Sequence, residues 1–395
     1  MRMLPPATRR FVPELSVLKP ATSAQGTAAR LKELDAARAM LMLLGLVVHA
    51  ANPYAAHASW IVTDGTDQAW LHYLGALPHQ FRMPGFFLLA GFLGTLALKK
   101  HGAADFLRRR ATRLLWPLVT SLLTINALQY WYVRHYIAVH CGDHTIDCAA
   151  HATPGLWVAH LWFLFYLSGY SLVHPLIVRV FHWAPLRTIL GNTPAAHFPL
   201  TVAIAAPFLG SLVIKACASD LPFLYQRLLG VGSLFEFATY GMYFGVGVLV
   251  ASWPRLRQRF VALPIGTALL ISLSGVATFF AAEQLANAHG QYAGSAPVLW
   301  MGSQALLTLG CLRLFMRLSH WLPALATRIA DSTYTVYLFH HFLVILLALA
   351  LVDWPGWPGT KFLIVVVLVG LCSYQLHRLV ISRSRLLRRL FNGAT

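Results

Sequence analysis

The chain has 395 residues, of which 57% are hydrophobic and only 11% are charged, and its mean hydropathy is +0.61. This composition excludes an ordinary soluble globular protein and a disordered one, and it indicates a polytopic membrane protein. The formal net charge of +18 would suit a nucleic-acid-binding protein, but the basic residues cluster between apolar runs, with no aromatic-rich recognition module around them. We therefore expect membrane lipids as partners and no nucleic acid.

The segment before the first apolar run is basic and rich in Pro, Ala and Thr, and it lacks the apolar region of a cleavable signal peptide. We predict three parts in the chain. A flexible cytoplasmic tail covers 1–33, a transmembrane domain covers 34–381, and a basic cytoplasmic C-terminus covers 382–395.

Ten apolar runs are long enough and poor enough in charge to cross a bilayer. These predicted spans are 36–56, 81–98, 113–133, 156–178, 198–215, 233–252, 260–282, 297–315, 332–352 and 360–381. When the connecting segments alternate between two sides, 26 of the 31 Lys and Arg residues fall on one side and 5 on the other. Because basic residues concentrate on the cytoplasmic side of membrane proteins, the pattern predicts an all-α bundle with both termini in the cytoplasm.

The first span carries ionisable groups along one face. Arg38 and His49 are eleven residues apart, which is about 20° more than three helical turns, so their side chains share a face. At about 1.5 Å per residue they are about 16 Å apart, which places His49 near the middle of the bilayer if Arg38 marks its cytoplasmic edge. Asp35 can pair with Arg38. A lone histidine on an apolar helix is more often a packing residue than a catalyst, and this helix alone does not decide.

Further polar side chains fall inside later spans. They are Arg82 at the outer end of the second span, His160 and Trp162 in the fourth, Glu236 in the sixth, and Tyr337, His340 and His341 in the ninth. Arg82 can alternatively extend to lipid headgroups, and His160 can lie at the membrane surface. Neighbouring residues point about 100° apart, so we expect only one of His340 and His341 to face the bundle centre. A carboxylate facing lipid is strongly disfavoured, so Glu236 favours a polar cavity inside the bundle.

A dense basic patch lies between the second and third spans, in the segment LKKHGAADFLRRRATRLLWP, residues 98–117. Its basic members are Lys99, Lys100, Arg108, Arg109, Arg110 and Arg113. Such a patch is typical of topology determination or of attraction to anionic lipid. A polyphosphate ligand would fit it as well, because guanidinium groups match phosphate oxygens.

Two segments on the outer side carry other polar groups. Cys141 and Cys148 in CGDHTIDC can form a local disulfide, bind zinc with nearby histidines, or remain free thiols; we predict no metal site. The segment 52–80 is rich in His, Trp and Tyr, including Trp60, which suits either an aromatic belt or a cover over a binding entrance.

Five segments in order carry a resemblance to a known family. They are LDAARAMLMLLGLVVHA from residue 34, FRMPGFFLLAGF from residue 81, the pair Arg110 and Arg113, HLWFL from residue 160, and STYTVYLFHH from residue 332. Together they resemble the acyltransferase-3 family of integral membrane acyltransferases, and within it the members associated with succinylation of osmoregulated periplasmic glucans. The resemblance covers residues 34 to about 381. The CGDHTIDC loop departs from that group.

The resemblance implies an O-acyltransferase of the bacterial inner membrane that moves an acyl group from cytoplasmic acyl-CoA, most simply succinyl-CoA, to hydroxyls of a periplasmic glucan. It implies no permanently bound cofactor. Lys99, Lys100, Arg109, Arg110 and Arg113 would bind the phosphates of acyl-CoA. The thioester would meet His49, which would act either as a general base or as a nucleophile that forms an acyl-histidine.

Other roles follow from the same resemblance. Asp35 would hold Arg38 at the mouth of a donor channel, and Arg82 or Arg38 would pair with the succinyl carboxylate. His341 or Glu236 would orient the imidazole of His49. Acetyl transfer to another envelope polysaccharide, transport of a glycan or lipid, and a scaffolding role are open alternatives at this point, and no pattern indicates an oligomeric state.

Overall fold

A computed structural model describes residues 24–56, 60–140, 155–182, 198–287, 295–321 and 323–393. The helices are α1 (Ala24–Ala51), α2 (Ala69–His101), α3 (Ala103–Ser121), α4 (Ala127–His140), α5 (Trp162–Phe181), α6 (Phe198–Ala218), α7 (Leu234–Ser252), α8 (Pro254–Ala262), α9 (Ile265–Asn287), α10 (Ala296–Trp321), α11 (Pro323–Ala350), α12 (Pro358–Leu376) and α13 (Arg385–Asn392). Within the described ranges the only strands are β1 (Arg227–Leu228) and β2 (Gly232–Ser233), which pair antiparallel. The predicted all-α class is confirmed.

The outer surface of this bundle is apolar, as a lipid-facing surface must be. Leu123, Leu172 and Leu270 are 73%, 71% and 67% exposed. The core instead contains large side chains that are almost fully enclosed, among them Phe87 and Tyr243. Such extensive exposure of large apolar side chains is unfavourable in water, so the chain is a multi-pass membrane protein.

Nine helical segments of the described chain are long and apolar enough to cross a membrane, and they coincide with nine predicted spans. At the other predicted span, 198–215, α6 contains a shorter apolar stretch, Ile204–Ala218. The neighbouring helices indicate that α6 nevertheless passes through the bundle. The last part of α5 lies beside the C-terminal half of α2, where His174 contacts Thr95, whereas the start of α7 lies beside Tyr166 in the first part of α5.

The two ends of the bundle domain lie together. Arg38, near the start of the first crossing, and Arg388, after the last crossing, line the same cavity. The chain between them therefore makes an even number of passes, in agreement with ten crossings. The cytoplasmic location of this end stays a prediction from the distribution of basic residues.

Helices extend into both segments that we predicted to flank the transmembrane domain. α1 begins at Ala24, so the helix extends into the segment 1–33 that we expected to be a tail; residues 1–23 lie outside the described residues. α13 lies within the predicted basic C-terminus and packs against α3.

The second crossing is longer than predicted and changes the position of Arg82. α2 begins at Ala69 and runs for 33 residues, although it contains Pro78 and Pro84. Such prolines are tolerated where neighbouring helices enclose the backbone. Arg82 consequently lies in the interior of α2 with 7% exposure, and the prediction that it sits at the outer end of its span is wrong.

Helices α2 and α7 approach each other through glycines. A side-chain carbon added to Gly91 would overlap the carbonyl oxygen of Phe244, and one added to Gly247 would overlap that of Leu88. Helices in membranes associate through such close backbone contacts, because lipid provides no hydrophobic driving force between them. This contact therefore fixes the position of α2, which carries Arg82.

We expect Gly247→Val to destabilise the protein by about 1–3 kcal/mol, because its side chain meets backbone atoms that cannot rotate away. Gly245→Val is the matched control, since no atom lies within 4 Å of a carbon added to Gly245. The measurement is the thermal unfolding midpoint of each variant purified in detergent. Equal midpoints for the two variants would contradict the proposed contact.

Candidate active site in the centre of the bundle

Four imidazoles from three segments meet inside the bundle. The centroid of the His49 ring lies 5.3 Å from that of His340 and 4.9 Å from that of His341. The ring of His160, in the helical turn Ala159–Leu161, lies 5.1 Å and 4.9 Å from the same two rings. The expectation that only one of His340 and His341 faces the centre is therefore wrong. His49 and His160 come from different segments, and each lies within about 5 Å of both rings.

Hydrogen bonds set the orientation of the two α11 histidines. Nδ1 of His341 lies 2.9 Å from Oε1 of Gln129, and Nδ1 of His340 lies 2.7 Å from the carbonyl oxygen of Tyr337. Both partners only accept, so each Nδ1 carries the proton and each Nε2 keeps a lone pair. Nε2 of His340 is buried and has no hydrogen-bond partner in the described structure. His160 is held through its backbone, because the Tyr337 hydroxyl donates to its carbonyl oxygen at 2.7 Å.

A π-helical turn at Leu122–Asn126 brings further polar groups to the cluster. Such turns insert one residue into a helix and are frequent at functional sites. Nδ2 of Asn126 donates to the carbonyl oxygens of Trp157 and Val158 at 3.1 Å and 2.8 Å. These bonds hold the segment before Ala159, whose φ of 46° is unusual for a residue with a side chain. Sequence reasoning missed Asn126 and Gln129, although an amide pair inside an apolar span was a usable signal.

Arg82 lies beside the cluster, with no counter-ion among the residues that the structure describes. A side-chain carbon added to Gly45 would overlap Nη1 of Arg82 and would lie 4.0 Å from Nε2 of His340. No salt bridge joins Arg82 to any acidic group of the described residues, and its Nε has no hydrogen-bond partner there. Buried charges in proteins are normally paired, so this guanidinium favours an anionic or partly anionic ligand.

An outer segment lies against His49 from the other side. The ring of Trp60 is 6.4 Å from that of His49, at an interplanar angle of 30°, and 5.6 Å from that of His341. A buried ion pair anchors the segment, since Nζ of Lys361 donates to both carboxylate oxygens of Asp64 at 2.9 Å and 3.1 Å. From Ala69 onward the predicted exterior segment is helix. Sequence reasoning missed the ion pair, although a lysine at the start of an apolar span was a signal for it.

A basic cavity of about 330 Å³ lies between α1, α3 and α13, where Arg38, Arg110, Arg113 and Arg388 line it. Asp35 pairs with Arg38 at 3.3 Å, as predicted. A small cavity of about 10 Å³ adjoins it, and Arg82 and Tyr337 line this second cavity. Both cavities share three lining residues: Met42, Phe86 and Phe163. The basic cavity therefore leads through a narrow constriction towards Arg82 and the histidines.

Other predicted site residues lie elsewhere. Lys100 and Arg109 are exposed and do not line the basic cavity, and Nζ of Lys99 donates to the carbonyl oxygen of Ala251 at 3.4 Å. Glu236 does not orient His49, because it forms a capping box with Ser233 at the start of α7.

The remaining predictions concern an aromatic residue, a disulfide and a metal. Trp162 stacks on Tyr240, with ring centroids 5.6 Å apart. Cys141 and Cys148 lie outside the described residues. Among the residues that the structure describes, no group of three or more His, Cys, Asp or Glu side chains has a geometry that could hold a metal ion.

Comparison with known proteins gives the family of the chain. The family model described as an acyltransferase domain matches residues 31–377. The chain belongs to the acyltransferase-3 family. It is 26% identical to the glucans biosynthesis protein C of Salmonella gallinarum over 91% of this chain and 94% of that protein, and 25% identical, with the same coverage, to those of Salmonella paratyphi B and Salmonella heidelberg. No solved structure matches the chain. The chain is accordingly an O-acyltransferase with several membrane-spanning helices.

The close approach of α1 to Arg82 gives a test of the site that does not remove any of its side chains. We expect Gly45→Ala to preserve or slightly raise stability, because alanine favours a helix over glycine by about 1 kcal/mol. Acyl transfer should fall by about 100-fold, because the new methyl group displaces the guanidinium from the histidines.

The measurement pairs thermal unfolding with the rate of acyl transfer in membranes. Gly266→Ala is the control, since a carbon added to this helical glycine has no atom within 4 Å. An unchanged rate in Gly45→Ala would mean that the position of the guanidinium does not matter for the reaction.

Proposed function

We propose that the chain transfers a succinyl group from cytoplasmic acyl-CoA to a hydroxyl of a periplasmic glucan, across the bacterial inner membrane. The observation that carries the proposal is the alignment of the basic cavity, the constriction and the histidine cluster with Arg82, which forms no ion pair with the acidic groups of the described residues. The family supplies the reaction class, and the names of the relatives support a role in glucan biosynthesis.

The donor would enter from the basic cavity. Three guanidinium groups line it, those of Arg38, Arg110 and Arg113. Each guanidinium can donate two parallel hydrogen bonds to phosphate oxygens. The pantetheine arm is narrow and flexible, and it would pass between Met42, Phe86 and Phe163 towards Arg82. Because the adjoining cavity measures only about 10 Å³, these side chains must move to admit the arm.

His49 would act as the base at the inner end of this passage. A ring removed from water stays neutral, which is the form that accepts a proton. The imidazole would take the proton of the acceptor hydroxyl while the hydroxyl oxygen attacks the thioester carbonyl carbon. The tetrahedral intermediate then collapses, the C–S bond breaks, and the leaving thiolate takes the proton from the imidazolium. An ester and free CoA result, and no CoA crosses the membrane.

Arg82 would hold the far end of the acyl group. A succinyl thioester carries a free carboxylate, which needs a cation when it is removed from water. Arg82 supplies a buried guanidinium without an acidic partner in the described chain, beside Nε2 of His340. An acetyl group has no such charge. This difference is the reason for proposing succinyl transfer.

The acceptor would approach from the side of Trp60. This indole is partly exposed and lies against the face of the His49 ring. A flat aromatic face next to the base can pack against the apolar face of a sugar ring and direct a hydroxyl to the imidazole. The buried pair of Asp64 and Lys361 would keep this segment in place.

We expect His49→Ala to lower the ester content of periplasmic glucans by at least about 100-fold, because general-base catalysis contributes about 10² to 10⁴ in rate. The measurement is mass spectrometry of glucans from cells that carry the native chain, the variant or the control His182→Ala. His182 is an exposed residue at the end of α5. Unchanged esterification in His49→Ala would remove the catalytic assignment and favour transport of an intact substrate.

The variant Arg82→Ala tests which acyl group the protein transfers. We expect kcat/KM for succinyl-CoA to fall by about 100-fold, with acetyl-CoA affected far less, because only the succinyl carboxylate loses its partner. The assay measures transfer from each donor in membrane preparations. Arg134→Ala, at an exposed position on α4, is the control. Equal losses for the two donors would overturn the proposal that Arg82 recognises the carboxylate.

A further inference from the structure

The C-terminal helix contributes to the basic cavity. α13 begins after residue 377, where the match to the family ends. Arg388 and Asn392 of this helix nevertheless line the cavity together with Arg38, Arg110 and Arg113. We propose that Arg388 binds a phosphate group of the CoA donor, so that a segment outside the family's matched region completes the donor site. This inference rests on the proposed function, because that function supplies CoA as the donor.

Several contacts hold α13 in position against the bundle. The ring of Phe391 lies 5.4 Å from that of Phe339 on α11 and is almost fully buried. Oγ1 of Thr335, also on α11, donates to Oδ1 of Asn392 at 3.0 Å and lies 2.8 Å from Nδ1 of His377. The helix is therefore docked on the bundle and does not simply lie on a lipid surface. Its position relative to the cavity is fixed by both apolar and polar contacts.

The end of α13 packs closely against α3, the helix that carries Arg110 and Arg113. Gly393 ends α13 with a φ of 59°, a left-handed conformation that favours glycine. A side-chain carbon at this position would lie 2.8 Å from the carbonyl oxygen of Thr112 and would also press on the backbone of Arg113. Only a residue without a side chain lets α13 end this close to α3. The backbone on which Arg113 sits is thus in direct contact with the end of α13.

The three arginines of α13 differ in their surroundings. The guanidinium of Arg389 lies over the ring of Trp116, 5.8 Å from its centroid, and Arg385 does not line the cavity. Arg388 lines the cavity and forms no ion pair with any residue of the described chain. With Arg38, Arg110 and Arg113 it lines a cavity bordered by four guanidinium groups, of which only Arg38 has a carboxylate partner, Asp35, in the described chain. Such a site favours a ligand with several negative charges, and the phosphates of CoA provide them.

The test measures binding of free CoA and of 3′-dephospho-CoA to the full-length protein in detergent, with the native chain, Arg388→Ala and Arg385→Ala. Arg385→Ala removes the same charge from the same helix at an exposed position away from the cavity. We expect Arg388→Ala to raise the Kd for CoA about tenfold or more, and Arg385→Ala to leave it within about twofold. Arg388→Lys, which keeps the charge but loses the fork of donors, should give an intermediate value.

The two ligands locate the contact. A loss confined to CoA assigns Arg388 to the 3′-phosphate, and a loss for both ligands assigns it to the diphosphate; either result supports the inference. Equal weakening by Arg385→Ala and Arg388→Ala would indicate a general effect of charge and overturn it, as would native affinity in Arg388→Ala. If the native chain fails to bind CoA, the donor assignment in the proposed function falls as well, so the two failures are distinguishable.

Discussion

The fold depends on the cost of keeping polar groups away from water inside a membrane. Four imidazoles and a guanidinium occupy the centre of a bundle whose outer surface is apolar. Each such group is unfavourable in a lipid environment unless neighbouring protein atoms partner it. The amide of Gln129 and the carbonyl of Tyr337 meet part of this need. The polar atoms that are left without partners are the ones that a substrate can use.

Much of the fold was predictable because a bilayer restricts the possible structures. Backbone polar groups in lipid must be satisfied within the same segment, so the length and composition of apolar runs almost suffice to locate helices. The errors arose where polar residues continue a helix beyond the apolar run. His72, Tyr73 and Pro78 were predicted to lie in the exterior segment before the second span, yet they belong to α2. Packing against other helices determined that outcome, and a single sequence does not reveal such packing.

The candidate site was predicted in part, for a similar reason. His49, Arg38 and Asp35 share one helix, so their spacing alone places them on one face. The contacts of His49 and His160 with His341 depend on how three segments pack, and the family resemblance, not a spacing along the chain, was what linked these residues. The bond from Gln129 to His341 and the position of Trp60 against His49 escaped prediction, because neither residue has a spacing relation to His49 along the chain. Trp60 was named only as part of an outer segment that could cover a binding entrance. Glu236 attracted attention as a buried carboxylate, although its role is to cap the start of α7.

The glycine contact between α2 and α7 bears on how a donor can reach the histidines. Leu88 and Gly91 lie about 200° and 140° around α2 from Phe86, so the face in contact with α7 is nearly opposite the face that narrows the passage. Retreat of α2 towards α7 is blocked, because the two backbones already touch. Widening must therefore come from rotation of the lining side chains or from displacement of the opposite wall, α1 with Met42 or α5 with Phe163. The backbone of α2 is then the fixed side of the passage.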